Sequence, residues 1–169
     1  MAILTGQFDR TLDDKCRFLI PKSFREIFSG TEVYLSPGTQ HSIELHTTQS
    51  LEAKAQRISD SSSRHDAKHR FARLFYSQSH VVPVDLQGRI RIPASLVSWA
   101  GLERSITLIG TGSHLEIWCS QQWSGFVRKH ETECDELCEL ASGLSAQMES
   151  GESVGSSGPL DHSMKTRPK

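Results

Sequence analysis

The sequence predicts an α+β fold, rich in β-structure, made of one unit written twice and flanked by amphipathic helices. Two observations predict it. A segment recurs at a single fixed offset, the mark of a duplicated supersecondary unit. Within each copy, short strands of alternating polarity are followed by apolar positions at helical spacing.

The duplication is seen residue by residue. Asp13, Arg17, Ile20 and Pro21 recur as Asp85, Arg89, Ile92 and Pro93, each 72 positions later. The same offset pairs Phe24 with Leu96, Ile43-Glu44-Leu45 with Leu115-Glu116-Ile117, and Leu51 with Trp123. One such match is chance; a series at one offset is a repeat.

The elements follow in the same order in both copies. An extended stretch (residues 6–12, then 81–84) leads into a turn rich in Asp, Lys and Gly. A short strand comes next, with Phe18 and Ile20 in the first copy and Ile90 and Ile92 in the second. Pro21 and Pro93 stand where a helix begins, a position suited to the fixed φ of proline. Phe24, Ile27 and Phe28, then Leu96, Trp99 and Ala100, take helical spacing, and Gly30 and Gly101 are expected C-terminal stops. Two more strands complete each copy, at 32–35 and 42–46, then 105–109 and 114–119.

Each copy then closes on a helix, with Thr48 and Ser120 as expected N-caps. Leu51, Ala55 and Ile58 form the first stripe. A Ser-rich break at 59–63 separates it from a second helix with Ala67, Phe71, Leu74 and Phe75 on one face. After the second copy, Trp123, Phe126, Val127, Cys134, Leu137 and Cys138 form a longer stripe. From residue 145 onward Ser, Gly, Glu and Pro dominate, which predicts disorder. The expected organisation is a first unit at 7–54, a helical linker at 55–80, a second unit at 81–126, a C-terminal helix at 127–144 and a disordered tail at 145–169.

Composition bounds the function. With 169 residues, 36% apolar and 23% charged, the chain can bury a core. The first residues hold no long apolar run, so no signal peptide or membrane span is expected, and a cytosolic location is. Cys16, Cys119, Cys134 and Cys138 show no C-x-x-C spacing and are expected as free thiols. Net charge is −1, but unevenly spread. Residues 1–130 carry 16 basic against 12 acidic side chains, and residues 131–169 carry 3 against 8. A mildly basic body with an acidic tail permits nucleic-acid binding without requiring it.

Sites of other chemistry find little support. His130, Cys134 and Cys138 are spaced four apart, which on a helix puts the outer pair ~12 Å apart, too far for one metal ion. His41, His46, His65, His69, His80 and His114 fall in no metalloprotease-type signature, and no P-loop, nucleophile elbow or dinucleotide fingerprint occurs. No metal, cofactor or small-molecule substrate is expected. Arg64, Lys68, Arg70 and Arg73 read as a solvated helix face. Trp99, Trp118 and Trp123 read as packing residues.

TLDDKCRFLIPKSFR resembles the first signature of the MraZ family, and VDLQGRIRIPASLVSWAGL the second. HRFARLFYSQS is similar to the helix between its repeats, and LIGTGSHLEIWCSQQW to its closing strand pair and helix start. The resemblance spans residues 3–140, with four segments in the family's order. It implies two SpoVT-AbrB-type units, of the swapped-hairpin, double-split β-α-β kind, about a pseudo-twofold axis. It also implies a ring-shaped homo-oligomer in the bacterial cytoplasm, associated with the nucleoid. Its partner would be double-stranded promoter DNA, bound at repeated boxes upstream of a division and cell-wall gene cluster that includes its own gene. Repression is the expected outcome.

Carried over, the DNA-reading loops hold Asp13 and Arg17, and Asp85 and Arg89. A guanidinium can bond both major-groove acceptors of guanine. An aspartate four residues earlier in a tight turn can steady it, the role expected of Asp13 and Asp85. Lys15, Arg10, Arg25 and Arg91 are expected phosphate contacts. The bland alternative for Arg17 and Arg89 is an ion pair that merely closes a turn. The sequence departs from the family at Cys16, where glycine is usual; Gly88 keeps it. Two other functions stand beside the regulator: an oligomeric scaffold without DNA, and an enzyme built on a Cys/His pair.

Overall fold

The computed structural model describes residues 3–28, 32–60, 65–134 and 136–140. Residues 1–127 form one compact unit and residues 128–169 another. Gly30, Arg64, residues 61–63 of the serine-rich break and the tail from residue 141 lie outside the described residues.

The first repeat contributes β1 (Gln7–Thr11), β2 (Arg17–Leu19), α1 (Arg25–Phe28), β3 (Glu32–Pro37) and β4 (Ile43–His46). Helices α2 (Thr48–Asp60) and α3 (His65–Ser77) follow. The second repeat supplies β5 (His80–Pro83), β6 (Arg89–Arg91), α4 (Ala94–Trp99), β7 (Ser105–Gly110) and β8 (Leu115–Cys119), then α5 (Ser120–His130). Pro21 and Pro93 stand immediately before the helical turns, at φ −53° and −57°. That is the backbone angle their rings impose.

The two repeats share one sheet. Its strand order is β1-β7-β8-β4-β3-β5, antiparallel throughout. The first strand of each repeat pairs with the third strand of the other, so β1 lies on β7 and β5 on β3. Read with the 72-residue equivalence, the order is the same from either end. At the centre Ile43 faces Ile117, Glu44 faces Glu116 and Leu45 faces Leu115, a self-symmetric register.

A second ribbon pairs β2 with β6, Phe18 opposite Ile90, again symmetric about its middle. A pseudo-twofold axis therefore runs through both the Glu44/Glu116 and the Phe18/Ile90 pairs. The core gathers around it. Phe18, Ile20, Ile90, Ile92, Leu35, Ile43, Leu115 and Ile117 are all buried. This is the α+β, β-rich architecture of two interleaved AbrB-like units.

The helices depart from expectation in several places. The cap of α2 is Thr47, whose Oγ1 accepts the Ser50 N–H at 3.2 Å, one residue before the expected Thr48. Helix α2 continues through Ser59 and Asp60, so the serine run does not end it where expected. On α3 only Phe75 of the expected stripe is buried, while Ala67, Phe71 and Leu74 are exposed. Periodicity reveals an apolar face but not whether the same chain covers it.

Helix α5 begins at Ser120, whose hydroxyl lies 3.0 Å from that of Thr107. In the C-terminal unit a short 3-10 turn (Glu131–Glu133) leads to helical backbone at 134 and 136–140. Cys134, Leu137 and Cys138 are exposed there. Among the described residues no helix is long and apolar enough to cross a membrane.

Candidate nucleic-acid interface

The two Asp-x-x-x-Arg segments fold into the same loop. In the first, Asp13 N–H donates to the Arg17 carbonyl and Cys16 N–H to the Asp13 carbonyl, both at 2.9 Å. Asp13 Oδ1 accepts the backbone N–H groups of Lys15 and Arg17, each at 2.9 Å. Asp13 Oδ2 accepts Arg17 Nε and Nη2, each at 2.7 Å. The second loop repeats this: Asp85 Oδ1 takes Gln87 and Arg89 N–H at 2.9 Å, and Oδ2 takes Arg89 Nε at 2.8 Å.

One carboxylate thus ties the backbone of the turn and the root of the guanidinium together. The bond from Arg17 lowers the Asp13 carboxyl to about 2, and Arg17 is raised in return. Backbone and side-chain bonds from Arg89 likewise lower Asp85. Both carboxylates stay charged well below neutral pH.

A left-handed residue sets each loop against the other repeat. Cys16 has φ 55° and Gly88 φ 78°. Their carbonyls accept, across the axis, Ile92 N–H and Ile20 N–H, each at 2.9 Å. The turn therefore needs positive φ, and Cys16 occupies a conformation that costs an L-residue about 1–2 kcal/mol. Restoring the unsubstituted backbone by Cys16→Gly is expected to raise stability by about 0.5–1 kcal/mol, after the greater entropy lost by glycine. Chemical denaturation measures this as a higher midpoint at unchanged slope. A lower midpoint would mean that the Cys16 side chain contributes more than its backbone strain costs.

The ribbon turns Phe18 and Ile90 inward and its arginines outward. Arg17 stands opposite Arg91 and Leu19 opposite Arg89, so three guanidiniums share one face. Like charges placed opposite each other disfavour pairing; aspartates relieve Arg17 and Arg89, and Arg91 carries no ion pair among the described residues. The Arg17 and Arg89 side chains are 30% and 33% exposed, neither sunk in the core nor loose in solvent. They lie on related faces, as the pseudo-twofold requires.

The other expected contact residues surround this ribbon. Lys15 is exposed at the tip of the first loop, and Arg91 is exposed on β6. Arg10 donates from Nε to the Leu19 carbonyl at 3.2 Å, which attaches it to the edge of β2. Arg25 donates to the Ile20 carbonyl at 3.2 Å, and its stem lies against Gly88. A first-repeat arginine thus sits on the second-repeat loop; sequence order does not show this.

A buried polar cluster on the axis was not anticipated. Glu44 and His46 are buried, and His46 Nε2 lies 2.8 Å from Glu44 Oε2, which also bonds Lys54. The His46 and His114 rings stack with centroids 4.7 Å apart. His114 Nε2 is buried, 3.9 Å from Glu44 and 3.8 Å from Glu116. Burial alone would raise the Glu44 carboxyl, but the bonds from His46 and Lys54 outweigh it and hold it at about 2. Burial lowers His46. The available signal was a glutamate in the middle of an apolar strand in both repeats, at positions 44 and 116.

Two of the tryptophans have their polar ends satisfied, Trp118 Nε1 donating to Glu116 at 2.8 Å and Trp123 Nε1 to Gln7 at 2.9 Å, while the Trp99 ring lies 5.2 Å from that of His41. Lys68 donates to the Ser59 carbonyl, while Arg70 and Arg73 are exposed on α3.

Comparison with known sequences matches both repeats. The family model described as MraZ protein matches residues 3–74 and again residues 75–139. Similar proteins share the name transcriptional regulator MraZ. One from Thermomicrobium roseum is 36% identical over 119 residues, covering 70% of this chain and 83% of the relative. One from Limosilactobacillus fermentum is 32% identical over 140 residues, covering 83% and 97%. One from Dictyoglomus turgidum is 32% identical over 127 residues, covering 75% and 86%.

Proposed function

This chain belongs to the MraZ family of transcriptional regulators, not of enzymes, and from that premise we propose that it binds promoter DNA through its paired loops. One observation carries the reading: two aspartate-held guanidiniums share one face of a two-stranded ribbon across a pseudo-twofold axis. A two-stranded ribbon fits the major groove. Asp13 engages Nε and Nη2 of Arg17, which leaves the outer Nη1–Nη2 edge pointing end-on to bond guanine O6 and N7. Arg89 does the same in the second loop. Holding the guanidinium beforehand removes part of the ordering cost of binding. Lys15, Arg10, Arg25 and Arg91 contact phosphates, fixing position without reading sequence.

Two loops alone bind weakly, and a ring of subunits joins them on successive boxes. Avidity of this kind gains orders of magnitude with no new contact. The exposed Phe71, Leu74 and Tyr76 of α3 support self-assembly, since monomers seldom leave several large apolar side chains bare together. On this reading the protein works on the nucleoid in the cytoplasm. It represses the division and cell-wall gene cluster that contains its own gene.

A fluorescence anisotropy titration tests it, using DNA upstream of its own gene against a scrambled duplex. Preference for the upstream duplex by roughly 10³-fold is expected, with affinity falling as salt rises. Equal affinity for the two duplexes removes the reading.

A further inference from the structure

The loops match in backbone but not at their tips. Under the 72-residue equivalence Asp14 and Lys15 of the first loop stand where the second has Leu86 and Gln87. Among the described residues Leu86 is the most exposed of the large apolar side chains, at 108%. A leucine fully in water at a turn otherwise built of polar residues gives up the burial that would stabilise it. Beside it an open hollow of about 310 Å³ is walled by Ile20, Val84 and Leu86, together with Arg25 and Gln87. No such change of chemistry is needed to close the turn, because Asp85 and Arg89 do that.

The tip residues suit one base pair. In the major groove an A·T pair presents the thymine 5-methyl group beside adenine N6 and N7. An apolar side chain contacts the methyl, and a glutamine carboxamide bonds both adenine atoms. Leu86 and Gln87 are adjacent on one loop and both exposed. A protein-docking patch would need a continuous apolar area, whereas Leu86 stands between Asp85 and Gln87 with Arg25 close by.

We propose that the two loops read different bases: the second selects an A·T pair through Leu86 on the thymine methyl and Gln87 on adenine, and the first does not. This rests on the DNA-binding reading above. It makes each subunit an asymmetric reader on a symmetric backbone, which gives the bound boxes a direction.

The test uses the full-length protein and its upstream duplex in two forms, one unmodified and one with every thymine replaced by deoxyuridine. Deoxyuridine keeps the pairing and lacks only the methyl. Wild type is expected to bind the deoxyuridine duplex more weakly, about four-fold per contacted methyl. Leu86→Asn, at an exposed position that folding does not need, should bind the two duplexes equally. Gln87→Ala should weaken binding yet keep the thymine-to-deoxyuridine ratio.

If wild type binds both duplexes alike but still rejects scrambled DNA, this inference fails and the regulator reading stands. A ratio that persists in Leu86→Asn assigns the effect to duplex shape and also overturns it. A changed assembly size for Leu86→Asn in sedimentation, with the ratio intact, makes Leu86 a subunit contact instead. No preference of wild type for the upstream duplex removes both readings together.

Discussion

Arg17→Ala is expected to weaken binding to upstream DNA by about 5- to 150-fold per reading site, the worth of one bidentate arginine–guanine pair. Binding to scrambled DNA should change far less, because phosphates are held by other side chains. The loss is therefore mainly one of discrimination. In a ring it compounds over the sites engaged at once. The fold should survive, since the Arg17 side chain is 30% exposed and lies outside the core.

Asp13→Asn gives the companion result. The carboxamide oxygen can still accept backbone N–H groups, but it loses the charge that bonds Nε and Nη2 together. Its expected effect is smaller than that of Arg17→Ala and confined to upstream DNA. Anisotropy titrations of both variants against both duplexes provide the check. If Arg17→Ala leaves the upstream-to-scrambled ratio unchanged, the ion pair only closes the turn and the loops do not read bases.

The second large effect is on stability. Phe18→Ala is expected to cost about 3–5 kcal/mol, the range for removing a buried phenyl ring. Phe18 is 1% exposed and its cross-strand partner Ile90 is 0% exposed, so little solvent can refill the space. The position matters beyond its area. The pair lies on the pseudo-twofold and joins the two loops back to back. Against a typical domain stability of about 5–15 kcal/mol, this loss leaves a chain near its unfolding threshold. Urea denaturation followed by circular dichroism measures it. A loss below about 1 kcal/mol would mean that the ribbon is not a packed centre.

These effects come from residues whose visibility in the sequence differs. Asp13, Arg17, Asp85 and Arg89 were legible because duplication preserves a local turn, and the loop closes by bonds within five residues. Short-range geometry of this kind is written into residue order. Phe18, Ile20, Ile90 and Ile92 were legible as core from strand alternation.

The burial of Glu44 and His46 was not legible, because β4 is buried on all four residues. A strand covered on both faces loses the polar alternation that marks an outer side. The bare face of α3 failed for the converse reason. Phe71 and Leu74 repeat at helical spacing whether the surface that meets them belongs to this chain or not. Arg25 could be named but not located, since its contact with Gly88 crosses from one repeat to the other.

By itself the sequence determined that there are two copies of one unit, where each loop lies, and which aspartate and arginine face each other in it. Those depend on neighbours a few residues apart, and the chain's own stereochemistry decides them. Only the tertiary structure decided that β1 and β5 exchange partners, that β2 pairs with β6, and that both loops face the same way. Those pairings join residues from 45 to 102 positions apart, and they are selected by burying Phe18 against Ile90 and Ile43 against Ile117 on a common axis. No local preference encodes such a choice; only the closing of one shared core does.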